Sequence, residues 1–288
     1  MNDAIGRVIK GIGGNYYVLA DGAEYTCNAR GLFRLKEIEP LAGDFVELSN
    51  IDNSNKTALI QDILPRKNFL MRPKVANVDL VVCVGAVLPR LNPELIDALL
   101  FNCKEQGVDA LVCINKTDML ENPMDLPELK GWQMAGYPAI ALSAATGAGI
   151  DELGKYISNK TVIFAGNSGV GKSSIINALM PDLDLAIGDL SRKIGRGKHT
   201  TRETRLIAMG GGFLVDSPGF STLSIDKIPP ADLQNYYPEF APYRENCYYQ
   251  DCQHITEHDC AIKDEVGETI HPGRYERYVK YVTERGKK

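Results

Sequence analysis

Gly166-Asn167-Ser168-Gly169-Val170-Gly171-Lys172-Ser173 stands between an apolar run, Val162 to Ala165, and a stretch of helical character, Ser174 to Leu179. The glycines let the chain curl so that successive backbone N–H groups face phosphate oxygens, and the start of the helix adds positive potential there. In that setting Lys172 reaches the β and γ phosphates and the Ser173 hydroxyl is a ligand for Mg2+. The expected phosphate contacts therefore run from Gly166, Asn167, Ser168, Gly169, Val170 and Gly171 through Lys172, Ser173 and Ser174. Strand, loop and helix in this order set the central fold as α/β.

Working upstream, Asn115-Lys116-Thr117-Asp118 ends the apolar run Val108 to Ile114. The two oxygens of an aspartate carboxylate can accept from the ring N–H and the exocyclic amine of guanine together, a donor pair that adenine lacks. Asn115 is expected to tie this base loop to the phosphate loop, and the stem of Lys116 to lie along the ring. In ordinary GTPases the phosphate loop comes first and the guanine tetrapeptide follows, so the parts here stand in permuted order. Ala141-Leu142-Ser143-Ala144-Ala145 follows another short strand; it either closes the guanine pocket with the N–H groups of Ser143 and Ala144 or is a plain strand-to-helix turn.

Downstream, Asp216-Ser217-Pro218-Gly219 follows the run Phe213 to Val215 and has the form of a γ-phosphate sensor, with Asp216 toward Mg2+ and the Gly219 N–H toward the phosphate. The next residue is Phe220, which has no hydrogen-bonding group where many GTPases place a glutamine to orient water. Slow intrinsic hydrolysis is the consequence. His199 is the nearest polar candidate for steering that water, with an alternative reading as a loop histidine facing RNA or solvent. In Gly197-Lys198-His199-Thr200-Thr201-Arg202 one threonine completes the Mg2+ shell. Thr201 resembles the switch threonine of the Thr-Arg family of translation GTPases because Arg202 and Glu203 follow it, and Thr200 stands as the competitor. The expected catalytic residues are Lys172, Thr201 and His199, and the Mg2+ ligands Ser173, Thr201 and Asp216.

The 288 residues suit two or three domains. Short β-type runs with turn signals from Ile5 to about Leu64 read as an OB-type barrel, a fold that commonly binds oligonucleotides. Arg30, Arg34, Lys36 and Lys56, near Tyr16, Tyr17 and Phe33, tilt that barrel toward RNA. Beyond Leu64-Pro65-Arg66 the continuous apolar runs indicate strands buried on both faces of a parallel sheet, with a helix opening at Asn92-Pro93. From Pro229 the texture changes again to a tyrosine-rich module with an amphipathic tail, Arg274 to Arg285. The domain reading is 1–65 for the barrel, 66–225 for the GTPase domain and 226–288 for a small, mainly helical metal-binding domain.

Cys247-x4-Cys252-x-His254-x5-Cys260 offers three thiolates and an imidazole, a set that closes a tetrahedral structural zinc site. His258 and His271 are alternative ligands, but the close spacing of Cys252 and His254 favours His254. Seven cysteines, an odd number, and the burial of Cys83 and Cys113 in apolar runs argue against a disulfide framework. The net charge of −5 argues against a protein coated in nucleic acid. Two basic clusters oppose that average: Arg192 to Arg205 in the switch region, and Arg274, Arg277, Lys280, Arg285, Lys287 and Lys288 at the end. Met1 to Ile12 carries Asp3, Arg7 and Lys10 and no long apolar run, so a signal peptide or membrane span is not expected and a cytoplasmic address is.

Barrel, guanine tetrapeptide, phosphate loop, aspartate sensor and Cys3His knuckle in this order resemble the ribosome small subunit-dependent GTPase A family (RsgA) over essentially the whole chain. Ala29-Arg30-Gly31, Leu64-Pro65-Arg66-Lys67-Asn68 and Gly197-Lys198-His199-Thr200-Thr201 add to the likeness; Arg202 departs from it, standing where a third threonine is common. The resemblance implies OB, circularly permuted GTPase and zinc domains. It also implies a factor for late maturation of the 30S subunit that binds the subunit and its 16S rRNA in the GTP state and leaves when the subunit stimulates hydrolysis. GTP and GDP are the implied nucleotides, Mg2+ and one structural Zn2+ the cofactors, and a monomer the expected state. The other readings of the residues are a GTP-dependent binding module in which hydrolysis is incidental, and a P-loop nucleotide kinase, for which the guanine tetrapeptide would be idle.

The inverted order also carries an expectation about output. The segment after the Asp216 sensor runs toward the Cys/His module, so ordering of Asp216 to Phe220 by the γ phosphate is expected to pass to that module.

Overall fold

The computed structural model describes residues 4–29, 38–122, 126–180, 204–216 and 228–285. Five strands build the N-terminal barrel: β1 Ala4–Ile12, β2 Asn15–Ala20, β3 Ala23–Ala29, β4 Phe45–Asp52 and β5 Thr57–Ile63. Alternate residues such as Val8, Val18, Cys27, Val46, Leu48 and Ile60 point inward and are fully buried, as the two-residue period of a strand requires. Pairing runs β1-β2-β3-β5-β4 and closes through β4 back onto β1, leaving no open edge among the described strands. A short hairpin follows, β6 Phe69–Met71 with β7 Lys74–Ala76.

The central domain is doubly wound. Its strands are β8 Leu80–Ala86, β9 Asp109–Asn115, β10 Ala139–Ala141, β11 Thr161–Ala165, β12 Arg205–Met209 and β13 Gly212–Asp216, in the order β10-β9-β8-β11-β13-β12. All pairs are parallel except β12 with β13. Helices α1 Pro93–Gln106 and α2 Pro127–Met134 cover one face, and α3 Ile150–Ile157 and α4 Lys172–Leu179 the other. Asn92 caps α1 by accepting from the Leu95 N–H, Pro93 opens its first turn, and Gly107 at φ 62° ends it.

β8, first of these strands in the chain, lies between β9, which carries the tetrapeptide, and β11, which leads to the phosphate loop. The permutation thus changes the connections and leaves a sheet with both motifs at its carboxyl edge, where doubly wound folds place their ligands.

The barrel and the central sheet are continuous. β1 pairs antiparallel with β12 at Lys10↔Arg205, which makes one sheet of eleven strands. The Arg7 guanidinium closes this junction: it lies 4.8 Å from the Phe45 ring and 4.9 Å from the Phe213 ring and donates to Thr161 Oγ1 at 2.6 Å. Burial lowers its pKa from the ordinary value. Arg66 adds a bidentate pair with the fully buried Asp44, at 2.7 and 2.8 Å.

The C-terminal module consists of short 3-10 turns, α5 Ala261–Asp264 and α6 Pro272–Arg285 around an aromatic core of Tyr237, Phe240 and Tyr278, with Phe101 of α1 contributed from the central domain. The basic surface expected from the tail is corrected here. Arg274 is fully buried, donating to Asp97 at 2.6 Å and to Glu239 at 2.7 and 3.1 Å. Arg277 takes the other Asp97 oxygen at 2.5 Å, and Lys280 pairs with Glu94 at 2.5 Å. Trp132 of α2 also donates to Asp97, at 2.8 Å. Arg274 and Arg277 are spent on docking α6 against α1 and α2, whereas Lys280 stays exposed beside an exposed Glu94; Lys287 and Lys288 lie outside the described residues, as does the side chain of Arg285.

Candidate functional site

The phosphate loop holds its curl because three of its residues take left-handed or related backbone conformations, Gly166 at φ 146°, Gly169 at 82° and Gly171 at 91°. At two of them there is also no room for a side chain: a Cβ on Gly166 would overlap the Val84 carbonyl, and one on Gly171 the Asn115 amide. Lys172 begins α4, and its ammonium donates to the carbonyls of Gly166 and Asn167 at 2.8 Å each, which fixes it at the mouth of the loop. Burial lowers its pKa from the usual lysine value. Ser173 and Ser174 are exposed on the first turn.

The tetrapeptide is bound to this loop through two side chains. Asn115, 2 % exposed, donates from Nδ2 to the Val170 carbonyl at 2.9 Å and accepts on Oδ1 from the Ala144 N–H at 3.1 Å. Lys116 adopts φ 65°, uncommon for a residue with a side chain. Its ammonium compensates by donating to Gly169 O at 2.8 Å and Leu88 O at 2.6 Å. Thr117 is buried and donates to Leu142 O at 3.0 Å. Asp118 is exposed, with Oδ1 accepting from the Ser143 hydroxyl at 2.5 Å.

In the Ser143–Ala144 turn both N–H groups have partners within the chain. The Ser143 N–H is used by Ala148 O at 2.9 Å and the Ala144 N–H by Asn115. What the turn offers is the Ser143 side chain, which orients the Asp118 carboxylate and accepts from Thr146 N–H at 3.2 Å. Nothing local in the sequence signals that bond, since the two residues are 25 apart.

Asp216 ends β13, beside the phosphate-loop strand, and pairs with Arg205 of β12 at 2.8 Å. Ser217, Pro218, Gly219, Phe220, His199, Thr200, Thr201 and the basic run from Arg192 to Arg202 lie outside the described residues, as do Arg30, Phe33, Arg34 and Lys36 of the barrel. Lys56 is described and sits 5.3 Å from the Tyr25 ring.

Cys247, Cys252, His254 and Cys260 converge, with their four ligand atoms all within 4.8 Å of one another, and could hold a metal ion. Cys247 Sγ and Cys260 Sγ are 3.9 Å apart, and His254 Nδ1 lies 3.6 and 3.4 Å from them. Two thiolates about 2.3 Å from one tetrahedral zinc stand about 3.8 Å apart, so the spacing fits. His254 Nε2 faces Gln234 Oε1 at 2.9 Å, which favours the tautomer with Nδ1 free to ligate. Burial lowers the His254 pKa and so favours the neutral ring. Tyr275 and Tyr278 of α6 brace the knuckle by donating to the carbonyls of His254 and Gln253. His258 is exposed outside this cluster, and His271 accepts from Gly273 N–H, so His254 is the imidazole that stands with the three thiols. Among the described residues no helix is long and apolar enough to cross a membrane.

The chain is similar to known proteins over its whole length. The family model described as RsgA GTPase matches residues 63–226, and that of the RsgA N-terminal domain residues 5–60. Among curated relatives, the small ribosomal subunit biogenesis GTPase RsgA of Alkaliphilus metalliredigens is 41 % identical over 97 % of both chains. That of Caldanaerobacter subterraneus subsp. tengcongensis is 42 % identical over 96 % of this chain and 93 % of the relative. Among solved structures, YjeQ from Thermotoga maritima superposes with a TM-score of 0.81 at 34 % identity, covering 99 % of each chain. The circularly permuted GTPase YloQ also gives 0.81, at 29 % identity over 99 % and 96 %.

Proposed function

The chain belongs to the RsgA GTPase family, and from that premise we propose that it is a GTP hydrolase serving late maturation of the small ribosomal subunit. It binds the subunit and its 16S rRNA in the GTP state, and subunit-stimulated hydrolysis releases it. The observation that carries the proposal is the junction of the two nucleotide motifs: Asn115 bonds the phosphate loop at Val170 and the base turn at Ala144 in one step. A base read at Asp118 is thereby held in fixed relation to phosphates on Gly166 to Ser174.

The residues have separate tasks. Asp118, oriented by Ser143, accepts from guanine, and the stem of Lys116 supports the ring. The glycine cradle, too tight for a Cβ at Gly166 and Gly171, fits phosphate oxygens, and Lys172 counters their charge. Ser173, Asp216 and Thr201 are the residues to hold Mg2+, which supplies neutralisation of the triphosphate when bound. His199 steers the attacking water in place of a glutamine, and with Phe220 beside the sensor the unstimulated rate is slow. Cys247, Cys252, His254 and Cys260 hold one structural zinc; the knuckle has few apolar residues of its own, so the metal contributes to its folding. The barrel, 1–65, contacts rRNA; 66–225 hydrolyses GTP; 226–288 forms the metal module.

The test is co-sedimentation of the full chain with purified small subunits in a non-hydrolysable GTP analogue and in GDP. Retention with the analogue and loss with GDP is expected. Equal retention in both would leave a binding protein whose hydrolysis is incidental.

A further inference from the structure

We propose that the metal knuckle is a docking face for a lysine- and arginine-rich polypeptide segment, with Tyr248 and Tyr249 as its anchors. The proposal rests on the reading that the chain works on the small subunit; the segment then belongs to a protein of that particle.

Between Cys247 and Cys252 the chain turns outward and presents two large rings. Tyr248 is 74 % exposed and Tyr249 45 %. Their centroids lie 5.0 Å apart at 83°, an edge-to-face pair. Elsewhere in the module the aromatic rings of Tyr237, Phe240 and Tyr278 turn into the core. A single exposed ring needs no explanation. Two rings in contact, on a loop whose ends are both ligand positions, form a preorganised patch that loses little entropy on binding. The Tyr248 N–H also donates to Asp259 O at 3.1 Å, so the loop is held from the far side of the knuckle.

Charge selects the partner. Glu245, Asp251 and Asp259 are exposed around the rings. The nearby Glu257 is already occupied by the N–H groups of Gln253, Ile255 and Thr256, at 2.8, 2.8 and 3.0 Å. The cations nearby are engaged within the chain: Arg244 donates to Asn235 Oδ1 at 2.6 Å, Lys104 to the Asn235 carbonyl and Lys263 to the Glu257 carbonyl at 2.7 Å. Single-stranded nucleic acid is held by rings set in a positive groove, whereas phosphates here would meet carboxylates. A lysine or arginine gains from both features, a cation over the ring face and a charge-assisted bond to a carboxylate. Beside Tyr249 a depression of about 440 Å³ runs over the Cys247, Cys252 and His254 cluster, and Glu245 and Gln250 line it with acceptors suited to a guanidinium; Gln234 and Asn235, also in its wall, already accept from His254 and Arg244.

The experiment measures equilibrium binding of the full, zinc-loaded chain to purified small subunits in a non-hydrolysable GTP analogue, with bound zinc measured for every variant. Tyr248→Ala is expected to weaken binding about threefold to thirtyfold, and the pair Asp251→Lys with Asp259→Lys on the order of tenfold. Tighter binding by the charge-reversed pair would show RNA at this face and overturn the proposal; unchanged binding by both variants would show that nothing docks there. Photocrosslinking from benzoylphenylalanine in place of Tyr248 gives a second readout: a basic protein is expected, and rRNA or no crosslink contradicts the proposal. Failure of the unsubstituted chain to bind small subunits would remove the parent reading and this partner with it, an outcome distinct from selective behaviour of the variants.

Discussion

The barrel joins the central sheet through its backbone, at the β1–β12 pair, whereas the C-terminal module joins it through side chains, with Arg274 and Arg277 of α6 closing on Asp97 of α1. The first junction lies one strand from Asp216. The second is on the helices that flank β9, the strand that carries the Asn115–Asp118 tetrapeptide. Chain order points the output of the sensor toward the Cys/His module, through residues 217–227, which lie outside the described residues. The sheet adds a shorter route in space: Arg205 pairs with Asp216 and stands opposite Lys10 of the barrel. Movement of Asp216, the proposed sensor, would therefore reach the proposed rRNA-binding barrel through one ion pair and one strand pairing.

Removing the metal separates the two junctions most sharply. Cys252→Ser or chelation is expected to cost several kcal/mol or more, given the large share of folding energy that structural zinc supplies. Hydrogen exchange should show lost protection across 247–285 and none across the barrel strands. Next comes Arg274→Leu. It leaves Glu239 buried without its cation and takes one of three donors from Asp97, which keeps Arg277 and Trp132; the loss is about 3–5 kcal/mol, read as a lower unfolding midpoint with α6 and α1 exposed together. Asp118→Ala lies between the junctions and affects neither. It removes two charge-assisted bonds and should weaken GTP by roughly 2–4 kcal/mol while leaving ATP binding unchanged, measured by calorimetry. At the barrel junction, Arg7→Met should cost about 1–2 kcal/mol, since the cation sits between two rings and the ladder itself is intact. The smallest effect is Arg205→Met. Its ion pair with Asp216 is partly exposed, so stability should fall by less than about 1 kcal/mol. Exchange protection of β1 should meanwhile stop responding to nucleotide, and a response equal to that of the unsubstituted chain would exclude the sheet route.

The two junctions also differ in how far the sequence reveals them. The barrel strands, the parallel strands and both nucleotide motifs are legible because alternation, continuous apolar runs and glycine spacing are local. Each of β6 and β7 is three residues long, too short to show a period. Strand β12 begins in a basic run, so Arg205 reads as surface charge although its backbone joins two domains. Arg274 and Arg277 read as a solvated face for the same reason. Their partner Asp97 is 177 and 180 residues away, and no window of sequence contains both ends of that clamp. Gln234, 20 residues before His254, is hidden in the same way. The candidate ligand set Cys247, Cys252, His254 and Cys260 is legible because metal chemistry demands close spacing, which already favours His254 over His258 and His271, and the fold brings those four residues together.

GTP turnover by the full chain at saturating nucleotide, alone and with purified small or large ribosomal subunits, tests the central claim most directly. Slow turnover alone, strong stimulation by small subunits and none by large ones is the expected result. Turnover that is the same in all three conditions would contradict it.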